Sequence, residues 1–267
     1  MNISGNLSKM RSELNSPIDY YLKLGENEIH LNDSIGKEIS LEHNGVINCM
    51  HCGKKTKKSF SQGLCYACFQ TAPEADQSVM RPELSMAQFG IARDMEWAAE
   101  HDLIDHYVYL SVTNDIKVGV TRFHQIPTRW IDQGAVLAIK LAKTPNRHIA
   151  GIIEKYLKSY VADITKWQAM LKEEMNMQID LKAEKMRISD LLPLELKKYL
   201  EPDDTITSLE YPGDFQLKKI NTVGFDKTPL VKGRLVKIKG QYLIFEDESV
   251  MNIRKYSGYF INFSDNR

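Results

Sequence analysis

"YLSVTNDIKVGVTRFHQIPTRW", residues 109–130, is the stretch whose reading decides the fold. Two alternating, β-branched runs at 109–112 and 116–120 flank the polar turn Thr113-Asn114-Asp115, which reads as a hairpin. Pro127 suits the first position of a short helix, and Gly134 suits its stop. Further on, Asn146 is a good N-cap for a helix in which Ile149, Ile152, Ile153, Tyr156, Leu157 and Tyr160 recur on one face. Residues 106–160 therefore read β-β-α-β-α, with strands near 106–112, 116–121 and 135–142.

Upstream, "CMHCGKKTKKSFSQGLCYAC" at 49–68 holds all four cysteines of the chain, spaced C-x2-C-x12-C-x2-C. Two such pairs supply the four soft ligands that tetrahedral Zn²⁺ wants, and Gly53 permits the tight knuckle after Cys52. Four-thiolate sites also suit iron, the competing metal. The spacing predicts a structural zinc ribbon with Cys49, Cys52, Cys65 and Cys68 as ligands and His51 exposed. Between the pairs stand Lys54, Lys55, Lys57 and Lys58, which read either as phosphate contacts or as a solubilising loop tip.

Around these two segments the chain divides into a β segment at 1–48, the ribbon at 49–70, a connector and helix at 71–105, the β-β-α-β-α domain at 106–160, a helical segment at 161–205, and a β domain at 206–267. Asn44-Gly45 and Lys239-Gly240 are expected turns, and a helix is expected over about 87–101 with Phe89, Ile91, Met95 and Ala98 on its buried side. A long helix over about 163–187 presents Ile164, Trp167, Leu171, Met175 and Ile179 as an apolar stripe, which packs into a core or docks a protein partner. The expected class is α+β: a small N-terminal β segment with a zinc ribbon, a central β-β-α-β-α domain, a long helix, and a C-terminal β barrel or sandwich. Strands from the two ends of the chain can also pair with each other, which sequence alone leaves open.

Composition is that of a globular protein, with 43% hydrophobic and 26% charged residues and 35 basic residues balancing 35 acidic ones. No apolar run approaches membrane-spanning length and no signal peptide is apparent, so the expectation is a cytoplasmic protein with no membrane partner. Charge is uneven along the chain. Residues 117–148 carry Lys117, Arg122, Arg129, Lys140, Lys143 and Arg147 against Asp132, whereas residues 71–106 carry eight acids against Arg81 and Arg93.

The central domain resembles the GIY-YIG endonuclease superfamily. "YVY" at 107–109 stands where the first signature would fall, and "KVG" at 117–119 where the second would, followed by "VTR". The resemblance implies that Tyr109 assists a water, Arg129 meets the phosphate and Glu154 holds a divalent ion, Mg²⁺ or Mn²⁺. It also implies that Gly119 lets backbone and substrate approach closely. Departures are Lys117 in place of the tyrosine that opens the second signature, Gln133 where histidine or tyrosine is usual, and no match for a late asparagine. Read without the resemblance, Tyr109 is a strand residue, Arg129 pairs with Asp132 or a neighbour, and Glu154 lies on the flank of its helix's apolar stripe. The chain as a whole resembles a bacterial family catalogued as a domain of unknown function.

The expected function is nucleic-acid binding, DNA or RNA, without turnover. The contacts expected are Lys54, Lys55, Lys57, Lys58, Lys117, Gly119, Arg122 and Arg129, with Lys218, Lys219, Lys232, Arg234, Lys237 and Lys239 as C-terminal additions. The alternatives are a divalent-metal-dependent endonuclease and a structural module that docks a protein through 163–187.

Overall fold

A computed structural model describes residues 2–162, 164–174 and 179–265. It is a mixed α+β protein in two compact units, Met1–Gln70 with Glu210–Arg267, and Thr71–Leu209.

In the first unit, strands from the two ends of the chain share one sheet. Its order is Asn2–Asn6, Tyr259–Asp265, Glu38–Asn48, Leu230–Lys239, Tyr242–Phe245, Ser249–Asn252 and Asn221–Thr222, with Lys55–Thr56 added to Glu38–Asn48. A three-stranded sheet, Arg11–Glu13, Asp19–Leu24 and Asn27–His30, accompanies it. Period-two alternation drives the packing: Tyr20, Leu22 and Leu24 on one strand, and Ile39 and Leu41 on another, are buried. Among the described residues, neither sheet closes into a barrel. The expected division into an N-terminal β segment and a separate C-terminal barrel or sandwich gives way to this joint sheet, because Glu38–Asn48 hydrogen-bonds to Tyr259–Asp265 on one side and Leu230–Lys239 on the other. Asn44-Gly45 is not a turn either. It sits inside Glu38–Asn48, where the register against the neighbouring strand slips between Tyr259 and Ile261, a bulge.

The second unit follows the expected β-β-α-β-α order: His106–Val112, Ile116–Arg122, Thr128–Asp132, Leu137–Thr144 and Arg147–Leu157. The strands are antiparallel, in the order Thr207–Ser208, Leu137–Thr144, His106–Val112, Ile116–Arg122. Asn146 caps the last helix, its side chain accepting from the Ile149 amide at 3.0 Å. Ala150, Ile153 and Leu157 pack from that helix into a core with Val108, Leu110, Val118, Ile139 and Leu141.

Two expected helices are shorter here. The one expected at 87–101 is an α-helix only over Met95–His101, after a 3-10 turn at Ala87–Phe89, and is started by Asp94, whose side chain accepts from the Trp97 amide. Gly90 leaves the helical region at φ 77°, so Phe89 and Ile91 are exposed instead of buried. The long helix at 163–187 is two pieces, Trp167–Lys172 and Leu181–Leu191. Glu173 turns left-handed at φ 57° and ends the first, and Asp180 caps the second by accepting from the Lys182 and Ala183 amides. Leu171 is buried while Ile164 is 75% exposed, so no continuous stripe forms; Met175 lies outside the described residues.

Candidate functional site

The four cysteines meet. A knuckle turn, with Cys49 N donating to Lys54 O at 2.9 Å and Gly53 N to Cys49 O at 2.9 Å, folds Cys49 and Cys52 together, with Gly53 at φ 73°. Cys65 and Cys68 join from the start of helix Tyr66–Thr71. All four Sγ atoms lie within 4.8 Å of one another, and Cys52 and Cys65 are 3.9 Å apart. Zinc–sulfur bonds of about 2.3 Å imply a tetrahedral edge of about 3.8 Å, so the donor set and its size are compatible with zinc. Burial pushes the Cys49 thiol up, but backbone amides of Cys52, Cys65 and His51 outweigh it and bring the thiol down to about 6, favouring the thiolate that a metal needs. Among them is the Cys65 amide, 3.2 Å from Cys49 Sγ. Burial, then the neighbouring cysteines, push the Cys68 thiol the other way. Among the described residues, these cysteines are the group of three or more His, Cys, Asp or Glu close enough to share an ion. His51 is exposed, as expected.

A second polar cluster forms around Tyr109. The residue is fully buried, hydroxyl included, and packs edge-on against Trp130 at 6.0 Å. Gly119 is its direct partner across the hairpin, and a Cβ there would fall 2.6 Å from Tyr109 Oη. The space beside Gly119 is thus filled by the Tyr109 ring, not left for a substrate. Gln133 closes the hydroxyl from the other side. With its amide turned to satisfy both neighbours, it donates to Tyr109 Oη at 2.8 Å and accepts from Arg129 Nε at 3.2 Å and Nη2 at 3.1 Å. Burial raises the Tyr109 pKa; Arg129 opposes the shift and Glu154 adds to it. Arg129 thus pairs with Gln133.

Glu154 is not a solvated flank residue: its side chain is 12% exposed, 3.8 Å from Lys158, and its charge is felt by both Tyr109 and Arg147. Arg147 is nearly buried, donating to Ser78 O at 2.9 Å and Val79 O at 2.8 Å, with Asp102 at 3.8 Å. Arg122 is half-buried, and its guanidinium has no hydrogen-bond or ion-pair partner among the described residues. Burial lowers the pKa of both arginines, with Asp102 opposing and like charges on neighbouring arginines adding. The same environment holds His106 down at about 4. Burial is the main cause, Arg147, Arg122 and His124 add to it, and the Ile104 carbonyl opposes it. His124 is shifted down in the same direction by burial, then by Arg122 and His101.

Sequence reasoning picked out Tyr109, Arg129 and Glu154 and missed His106 and Arg147 as members of the cluster. Arg147 directly follows the Asn146 cap, and that adjacency was the available signal. Elsewhere the cationic residues expected to contact phosphate are largely engaged. Lys117 is buried, bridges to Ala162 and donates to Thr165 Oγ1 at 3.2 Å. Lys140 pairs with Asp203 at 3.1 Å and Lys143 with Asp105 at 2.9 Å. In the other unit Lys237 and Lys239 are buried, Lys232 faces Glu38 at 3.4 Å and Arg234 faces Glu246 at 3.5 Å. The ribbon lysines differ: Lys54, Lys55, Lys57 and Lys58 are exposed and form no ion pair among the described residues.

Residues 36–261 match the family described as Protein of unknown function (DUF2797), and the chain belongs to that family. No curated protein and no solved structure matches it. No helix among the described residues is long and apolar enough to cross a membrane.

Proposed function

We propose that this chain binds nucleic acid, DNA or RNA, without cutting it, through a degenerate GIY-YIG-like centre at 106–160, and that its four cysteines hold a structural Zn²⁺. The observation that carries the reading is Arg122: a half-buried guanidinium with no hydrogen bond or close ion pair among the described residues, which feels the charges of Asp102, Arg129 and Arg147. Like charges brought together in a partly buried site raise each other's cost, and an anion relieves it. A phosphate diester is an anion that two guanidinium groups can meet at once.

The state of Tyr109 supports binding over turnover. A general base or nucleophile assistant must reach the water it activates. Here the hydroxyl is buried and engaged by Gln133, one of the residues in which the chain departs from the GIY-YIG pattern. Glu154 stands near two cations, Lys158 and Arg147. That setting weakens the case for it as a ligand for Mg²⁺ or Mn²⁺. Zinc would be held by Cys49, Cys52, Cys65 and Cys68, where it would supply folding energy and no chemistry.

The endonuclease reading keeps one observation in its favour: Tyr109, Arg129 and Glu154 come together in a single neighbourhood. Binding and cleavage are separated by fluorescence anisotropy on labelled DNA and RNA at low salt, followed by incubation with Mg²⁺ or Mn²⁺. The expected outcome is binding that weakens linearly in log salt, that falls in Arg122→Gln, and that never leads to cut product. Metal-dependent cleavage lost in Glu154→Gln would establish the nuclease instead, and no binding at low salt would overturn both readings.

A further inference from the structure

The ribbon carries two features that a metal site does not require. One is charge: residues 49–70 contain no acid, so the exposed Lys54, Lys55, Lys57 and Lys58 stand without local compensation. The other is an aromatic surface. Tyr66, first residue of helix Tyr66–Thr71 and next to Cys65, is 62% exposed. Phe60 meets its ring edge at 5.6 Å and stacks on Phe69 at 5.7 Å, and Lys58 Nζ stands 5.3 Å from the Phe60 centroid.

The surface is held in place. Phe60 and Leu64 exchange two backbone hydrogen bonds of 2.8 Å across a tight hairpin, whose tip residues Ser61 and Gln62 take left-handed φ of 37° and 70°. Neither is glycine, so each conformation costs of order 1 kcal/mol and persists because the surroundings impose it. Arg254 Nε contributes by donating to Gln62 Oε1 at 2.9 Å. Cys65 and Cys68 flank Tyr66 in the chain.

We infer, resting on the reading of this chain as a nucleic-acid binder, that the ribbon takes a single strand, stacking a base on Tyr66 and setting neighbouring phosphates on the four lysines. Charge complementarity selects a polyanion, and the exposed ring selects among polyanions. A planar aromatic face is matched by the π-face of a base, which is available only when the base is unstacked. In a duplex those faces are covered and the grooves offer base edges, which a tyrosine ring does not match. An acidic protein surface would satisfy the lysines but leave the ring without a counterpart.

The test uses the full chain and two fluorescent probes, a twenty-residue oligo(dT) strand and a blunt duplex of equal length, read by anisotropy at low salt. Wild-type protein is expected to prefer the strand. Tyr66→Ala is expected to weaken strand binding about tenfold and leave duplex binding unchanged, and Tyr66→Phe to retain most of the affinity. Reversing Lys54, Lys55, Lys57 and Lys58 to glutamate is expected to flatten the salt dependence by about three in log–log slope, from about 0.7 per phosphate. Zinc content and circular dichroism verify that each variant is folded. Equal or tighter duplex binding by wild-type protein overturns the inference even if Tyr66→Ala does not fold, and leaves the binding reading standing. Strand binding indifferent to Tyr66 in folded protein also overturns it. Failure to bind either probe removes the binding reading as well, in favour of an acidic protein partner.

Discussion

The cysteine cluster and the Tyr109 cluster are both small polar constellations, yet their relation to solvent is opposite. The cysteines lie within twenty residues of each other, and the lysines between them are exposed and form no ion pair among the described residues. The Tyr109 cluster gathers residues from both strands of the hairpin and two helices, and much of its charge is answered internally: Arg147 by carbonyls, Arg129 by Gln133, Tyr109 by the same amide. The difference teaches that residue order announces which side chains gather, while a single neighbour decides whether they face a substrate. At Tyr109 that neighbour is Gln133.

The largest expected effect tests the first half of the contrast. Cys49→Ser should lose bound zinc and the order of 49–70, since in small metal sites binding energy is folding energy, on the order of 10 kcal/mol for zinc peptides. Elemental analysis should find close to one zinc per wild-type chain, and hydrogen exchange should show 106–157 unchanged in the variant. Wild-type protein purified without metal, yet protected over 49–70, would break the contrast at its root.

Acid tests the second half. The unfolded chain binds a proton on His106 near pH 6.5, whereas the folded site resists until about 4. The unfolded state therefore holds more protons between those values, and stability falls as pH drops through that window. The contribution is fully present above about 6.5 and amounts to roughly 3 kcal/mol. Urea unfolding at pH 7 and pH 4.5 should show the loss, and His106→Gln should reduce it. An unchanged loss in the variant would mean that burial, with the neighbouring arginines, does not hold the imidazole neutral.

A smaller effect is expected at the glycine. Gly119→Ala puts a methyl group into the Tyr109 ring and should cost about 1–3 kcal/mol, read as a lower urea midpoint with an unchanged slope. A neutral result would show that the ring has room to move, and hence that the hydroxyl is less sealed than Gln133 makes it. Smallest is Glu154→Gln, which, if the proposed site takes a phosphate, should leave nucleic-acid affinity unchanged or tighten it by less than about fivefold, because it removes one repulsive charge. Clear weakening would place Glu154 on the ligand's side of the balance.

What was legible in the sequence is what local chemistry fixes. The hairpin at 106–122, the Asn146 cap and the cysteine knuckles each depend on residues a few positions apart, and each appears where expected. What was not legible is non-local. Nothing near Glu38–Asn48 announces that its partners lie some two hundred residues later, and a bulge at Asn44-Gly45 carries the same residues as a turn. The break between Trp167–Lys172 and Leu181–Leu191 needed Asp180 read as a cap inside an apolar stripe that seemed continuous. Buried lysines misled in another way: on alternating strands, Lys237 and Lys239 read as surface cations, but both are enclosed, with Lys239 Nζ 5.3 Å from the Tyr211 ring centroid.

The strand Glu38–Asn48 has a consequence for how the chain is made. Both of its long neighbours, Leu230–Lys239 and Tyr259–Asp265, are made long after it. At about 5–20 residues per second, the strand waits roughly 10–40 s for them, with only the short pairing of its end to Lys55–Thr56 in place. The intervening unit, Thr71–Leu209, is complete before either partner is made. During synthesis, then, the backbone edges of this strand stand exposed, open to pairing with another copy. Rapid completion of the C-terminal strands, or a chaperone on the first seventy residues, would decide how much of this chain reaches its folded form.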